Sequence, residues 1–318
     1  MSSHVNTYSL GFILKQRRKK LGLSQSQVCH GICETITLSR FENGKQSPSR
    51  RHIQALFQRL GLPTDQIFEP VTEDEAAYAN LENELASCTV RFERASDADK
   101  PAVRREALQV WHQLENIFPK PDRLIRQQLL RYQFLLGKED GPYPFDEAVD
   151  MLLRAIRLTV PEFTLEDFED GLYSARETKV INNIAMCYYR AGKHEQALSI
   201  FEKLYHYLRA NPGYADSIRG QVLMVGFNYQ LELHLCEKSN EVISLGEELR
   251  KECIDYGYYQ HLTSILALLA QEYCKAGKID RSTELFKQAH ALYKIIENDN
   301  DRLSLEEEAK NLLNLELS

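Results

Sequence analysis

The sequence is poor in every feature that would mark it for a membrane, for export or for catalysis. No run approaches the roughly 18 consecutive apolar residues a membrane-spanning helix needs, so no membrane partner is expected. The first residues lack the basic–apolar–small order of an export leader. Its seven cysteines are odd in number and scattered, which predicts a reduced, cytoplasmic chain rather than a disulfide framework. Cys29, His30 and Cys33 are the clustered metal-capable residues, but the second pair that a closed tetrahedral site requires is missing, so no metal is expected. There is no glycine-rich phosphate loop, no HExxH and no histidine set beside a serine or cysteine motif; neither enzymatic activity nor a cofactor is expected. Alternating strand patterns are absent too. Apolar residues recur at three- and four-residue spacing almost throughout, which predicts an all-α protein.

Negative charge is in excess, at −7 for 318 residues, and spread evenly it would argue against nucleic acid. It is not spread evenly. Residues 1–70 carry +6 and the remainder −13. A basic head on an acidic body keeps a phosphate-binding surface possible on the head. The composition changes near 63–75, in GLPTDQIFEPVTEDEAA, which places the expected boundary between a domain at 1–68 and a second at 69–318.

The head reads as several short helices: Leu10–Leu21, Gln25–His30, Thr35–Asn43, Arg50–Leu60 and a short one at Thr64–Phe68. Ser24 and Gln27 make a capping box for the second, and Gly44 stops the third. Two short helices joined by a tight turn are the geometry that lays a recognition helix in the major groove of double-stranded DNA. Leu38 and Phe41 are spaced to face the core, leaving Thr35, Ile36, Thr37, Ser39 and Arg40 for base edges. Hydroxyls read donors or acceptors, Ile36 suits a thymine methyl and Arg40 forks onto guanine. Arg18, Gln25, Asn43 and Lys45 fit phosphate contacts.

The order Leu21-Gly22-Leu23-Ser24-Gln25, then Leu38-Ser39-Arg40-Phe41-Glu42-Asn43-Gly44, then Pro48-Ser49 resembles the XRE/Cro-type helix-turn-helix family. The resemblance covers about residues 8–68 and implies that Arg18 pairs with Glu42, making Glu42 structural. Two departures stand out: the turn is one residue shorter than in phage-repressor members, and Glu34 sits where Ser or Thr precedes the recognition helix.

Internal repetition organises the body. INNIAMCYYRAGKHEQALSIFEKL (181–204) and LALLAQEYCKAGKIDRSTELFKQA (266–289) superpose without a gap, aligning Tyr188 with Tyr273, Gly192 with Gly277 and Phe201 with Phe286. This is similar to the tetratricopeptide repeat, a helix–turn–helix unit of about 34 residues. A degenerate copy is expected at about 215–253, earlier ones at 75–118 and 121–158, and a capping helix at 303–317. About five repeats and a cap make a right-handed α-solenoid with a concave groove. The runs TEDE (72–75) and LEEE (305–308) read as solvated helix starts.

Repeat alignment assigns Lys179, Asn182, Asn183, Met186, Tyr189 and Arg190 to the groove in one unit, and Met224, Phe227, Asn228, Leu231 and His234 in the next, with Gln127, Gln128 and Arg131 extending it. An asparagine offers a donor and an acceptor to a peptide backbone, and Lys179 or Arg190 suits a terminal carboxylate. A helix-turn-helix head on a divergent five-repeat array resembles the RNPP family. That resemblance implies a homodimeric transcription regulator of quorum-sensing type, with one recognition helix per subunit on an inverted-repeat operator and a short signalling peptide in the groove. Two rivals stay open: an array that docks a folded protein, and a repressor that needs no ligand.

Overall fold

The computed structural model describes residues 9–64, 67, 72–96, 98–118, 120–139, 141–210 and 218–317. The chain is helical, with α1 (Leu10–Lys20), α2 (Gln25–Cys29), α3 (Thr35–Glu42) and α4 (Arg50–Arg59) in the head. The body follows as α5 (Glu73–Arg94), α6 (Lys100–Asn116), α7 (Arg123–Leu136), α8 (Phe145–Arg157), α9 (Ala175–Arg190) and α10 (His194–Arg209). It continues through α11 (Arg219–Leu235), α12 (Ser239–Tyr256), α13 (Tyr259–Lys275) and α14 (Ile279–Ile295) to α15 (Asp299–Leu313). No strand occurs among the described residues; the one β-type pairing they contain is an isolated bridge between Lys138 and Gly141. No helix among them is long and apolar enough to cross a membrane.

Local chemistry fixes the ends. The Ser24 hydroxyl accepts from Gln27 N at 3.2 Å and the Gln27 side chain accepts from Ser24 N at 2.8 Å, closing the expected capping box. Thr72 and Glu75 form a second box that opens α5. Gly44 takes a φ of +69°, which lets Lys45 N donate to Arg40 O at 2.8 Å and closes α3. Glu34 precedes α3 without a side-chain cap. Of the expected fifth short helix, Asp65, Gln66 and Phe68 lie outside the described residues.

The structure forms two compact units, Met1–Cys187, and Tyr188–Ala210 with Ile218–Ser318. In the first, Leu14, Val28, Leu38, Phe41, Ile53, Leu56 and Leu60 make the head core. Each such side chain contributes about 1.5–3 kcal/mol by leaving water. Leu124 from α7 joins the same core. Arg51 Nη2 donates to Asp122 at 3.3 Å, and Gln58 Oε1 accepts from Ala175 N at 2.9 Å. Gly31 lies so close to the body that a Cβ there would meet Thr159 O at 1.9 Å.

In the second unit one turn recurs. Lys193 N donates to Tyr188 O, Lys238 N to Leu233 O and Lys278 N to Tyr273 O, each at 2.9–3.0 Å. Gly192 and Gly277 occupy the left-handed position, at φ +69° and +72°. Glu237 takes it at φ +58° in the degenerate copy, which identifies 219–256 as a repeat with the same turn. Two expectations change. The capping helix runs 299–313 rather than 303–317, because Asn298 Oδ1 caps it by accepting from Asp301 N. LEEE consequently lies in mid-helix, with Leu305 buried and Glu306 bonded to His290 and Arg302.

Candidate DNA interface and peptide groove

The recognition helix is positioned by a buried ion pair. Arg18 Nε and Nη2 donate to Glu42 Oε1 and Oε2 at 2.6 and 2.8 Å, and Nη1 donates to Leu23 O at 2.8 Å. Gln25 Nε2 donates to Glu42 Oε2 at 2.7 Å. Burial works against the Glu42 charge, but the bonds from Arg18 and Gln25 and the Arg18 and Lys15 charges hold its carboxyl below the usual range. The Arg18 guanidinium is raised, first by its bond to Glu42 and against burial. Arg18 is buried and bidentate on Glu42, the pairing the family resemblance implies, and so is not at a phosphate; half-buried Gln25 donates one amide hydrogen bond to Glu42.

With Leu38, Phe41 and Glu42 inside, α3 exposes Thr35, Ile36 and Arg40, while Thr37 and Ser39 are half-buried. Ile36 is an apolar side chain that is 61% exposed. Asn43 is exposed but tied at both ends, donating to Ser39 O and accepting from Lys15 Nζ, each at 2.8 Å. Lys45 is exposed beside it. Sequence reasoning missed Lys15 as the partner that brings a basic side chain to the end of α3.

In the first unit, α7 and α9 bring several expected groove residues together. Arg131 Nε donates to Asn183 Oδ1 at 3.0 Å, which engages the Asn183 acceptor. Asn182 is buried, and so is Gln128, whose Nε2 has no partner among the described residues. Met186 is half-buried. Arg176, which sequence reasoning missed, donates to Glu82 at 2.7 Å and reaches the Tyr78 hydroxyl at 3.5 Å. Burial and then the Arg131 and Arg176 charges pull the Lys179 ammonium down to about 8, against the pull of Glu82. Burial likewise lowers Arg131. Three cations thus share this face with Glu82, and Glu93 also acts on Arg131.

In the second unit Phe227 and Leu231 line an open cleft of about 230 Å³. Leu268, Gln271 and Tyr293 complete it with Asp301, Leu305 and Glu308 of α15. Gln271 Nε2 donates to Glu308 Oε2 at 2.7 Å, and burial raises the Glu308 carboxyl. Met224 and Asn228 are half-buried on the same helix as Phe227. His234 does not join this cleft; its Nδ1 is bonded to the buried Glu272 at 2.6 Å. Tyr189 packs edge-on to His194 with centroids 6.2 Å apart, and Arg190 is exposed.

The helix-turn-helix family HTH_3 matches residues 14–67, the span that holds α2, α3 and the Arg18–Glu42 pair. No curated protein is similar to the chain in sequence. Among solved structures, PlcR of Bacillus thuringiensis in complex with the peptide PapR7 and DNA is 16% identical, with a TM-score of 0.57 over 93% of this chain and 98% of that one. The apo form of PlcR is 14% identical, at 0.55 over 92% and 97%. The apo competence regulator ComR of Streptococcus vestibularis is 16% identical, at 0.51 over 97% and 98%. At these identities the likeness is one of fold. The chain has an XRE-type helix-turn-helix at its N-terminus followed by a TPR-like helical solenoid.

Proposed function

We propose that the protein is a sequence-specific transcription regulator of the RNPP type, in which a short signalling peptide bound to the repeat array alters DNA binding by the head. The observation that carries the reading is the pairing of two surfaces on one chain. Exposed Thr35, Ile36 and Arg40 stand on a helix clamped by buried Glu42, while Arg131 bonds Asn183, Arg176 bonds Glu82, and both arginines act on Lys179. The first suits base edges in the major groove. The second suits an extended backbone that ends in a carboxylate. PlcR, which shares the fold, was solved with both a peptide and DNA, and that supports the same pairing here.

Thr35, Ile36, Thr37, Ser39 and Arg40 are the base-reading residues in this proposal, with Lys45 and Asn43 at phosphates. Arg131, Lys179 and Asn183 are the peptide-contacting residues of the first unit in this proposal; in the second unit, taken by itself, Phe227 and Leu231 line an apolar cleft. Residues 1–68 serve as the DNA-binding domain and 69–318 as the peptide-binding and dimerising domain. A homodimer would match an inverted-repeat operator with half-sites about one helical turn, or a multiple, apart.

The test is DNA binding by the full chain to duplexes selected from a random pool, with and without size-fractionated peptides from the host's culture. A peptide-dependent change in affinity is expected. Tight, sequence-specific binding that no fraction alters would remove the peptide from the proposal and leave the DNA reader.

A further inference from the structure

Arg59 ends α4 in the head, yet its guanidinium is wholly engaged elsewhere. Nη1 donates to Val28 O at 3.2 Å and to His30 O at 2.6 Å, the carbonyls where α2 gives way to the turn before α3. Nη2 donates to Thr159 O at 3.0 Å and Glu177 Oε1 at 2.7 Å, and Nε reaches Glu177 Oε2 at 3.4 Å. Both side chains are within 3% of full burial. A buried guanidinium that fills its donors this way tolerates no loose partner, because an orphaned buried charge is costly.

Of the acceptors outside the head, Glu177 belongs to α9, while Thr159 lies in the turn after α8 and is bonded to α7. Glu177 sits in the first turn of α9, two residues before Lys179 and six before Asn183. Its Oε2 also accepts from Ser174 N at 2.6 Å, which fixes the carboxylate to the start of that helix. Thr159 answers to α7: Gln127 Nε2 donates to Thr159 Oγ1 at 2.6 Å, one turn before Arg131. Thr159 also presses its backbone on Gly31, inside the α2–α3 turn. A shift of α7 or α9 therefore moves an acceptor of Arg59, and a shift of the turn moves the donor.

We propose that Arg59 is the positioning residue through which α7 and α9 set the α2–α3 turn, so that DNA on α3 and a ligand on the α7/α9 face each change the affinity for the other. This rests on the DNA- and peptide-binding reading above. Coupling of this kind is reciprocal, so DNA alone suffices to test it. Arg59 touches neither base nor ligand; it acts through the turn.

The experiment is amide hydrogen exchange on the full chain, with and without a duplex that the protein selects from a random pool. In the wild type the duplex slows exchange on α3 and also changes exchange in α7 and in the first turn of α9. Ala175 N is a direct reporter, since it donates to Gln58 Oε1 of the head. In Glu177→Gln the protection of α3 persists, the change in α9 is lost and the change in α7 remains. In Gln127→Met the losses are reversed. A stabilising role alone would lower the melting temperature of both variants and leave these transmitted changes intact, which would overturn the proposal. So would a wild type whose α3 is protected while α7 and α9 stay unmoved, a result that needs neither variant to fold. If no duplex protects α3, it is the DNA-binding reading that fails, and the coupling with it.

Discussion

The head and the α7–α9 face arrange charge in opposite ways: the head buries a matched pair, and the α7–α9 face half-buries an excess of cations. In the head Arg18 faces Glu42 with Gln25 completing the carboxylate, so donor and acceptor close on each other. On the α7–α9 face Arg131, Arg176 and Lys179 gather around Glu82, and Lys179 is depressed to about 8 by burial and its two cationic neighbours. A balanced buried network holds a shape. On the proposed reading, an excess of positive charge suits an ion of the opposite sign.

The comparison can be broken first on the balanced side. Glu42→Ala leaves Arg18 charged and buried, and should cost about 3–5 kcal/mol of head stability in urea unfolding. Glu42 also gives this pair a pH signature. Its folded pKa is lowered, so its contribution is present above the ordinary value of about 4.3 and is lost as pH falls through the lowered one. Glu42→Gln should flatten that acid limb.

On the unbalanced side, Lys179→Met should leave stability unchanged or raised, while a peptide ligand loses about 1.5–3 kcal/mol of affinity by calorimetry. Binding to the wild type should weaken as pH rises through about 8, where the ammonium is lost, and the variant should show no such step. A variant that unfolds instead would place Lys179 with the scaffold. Next in size, Arg40→Ala should cost about 1–3 kcal/mol at a matched duplex and relax specificity at one base pair. Lys45→Ala should weaken all duplexes alike and lower the salt slope. The smallest effect is expected at Glu237, which takes a left-handed backbone where the sister repeats have glycine. Glu237→Gly should stabilise the second unit by about 0.5–1 kcal/mol in thermal unfolding, the relief of strain exceeding the added chain entropy.

What could be read in advance was what neighbours in sequence decide. Ser24 and Gln27 lie three apart, Leu38 and Phe41 share a helical face, and Gly192 and Gly277 recur in aligned repeats. The helices and the exposed face of α3 follow from such spacings. The Glu306-Glu307-Glu308 run misled because acidic clusters mark helix starts, and only Asn298 as the true cap and the burial of Leu305 place it in mid-helix. Partners far apart in the chain left no local trace. Arg59 meets Glu177 across 118 residues and Arg176 meets Glu82 across 94. No periodicity announces that a head arginine will cap the turn beside the recognition helix. A basic side chain near a helix end looks like a phosphate contact until its buried acceptor is known: at Arg18 the pairing with Glu42 follows from the family resemblance and not from local spacing.

The approach of Gly31 to Thr159 bears on how such chains exchange their parts. The contact runs from backbone to backbone, so no substitution at residue 159 opens room for a side chain at 31, and the positive φ of +73° at Gly31 disfavours one as well. A helix-turn-helix borrowed from another regulator would have to bring a glycine at this point of its turn, whatever bases its recognition helix prefers. The reading head is therefore not a free cassette, and chimeras that move it to a new body inherit a steric entry requirement unrelated to operator choice.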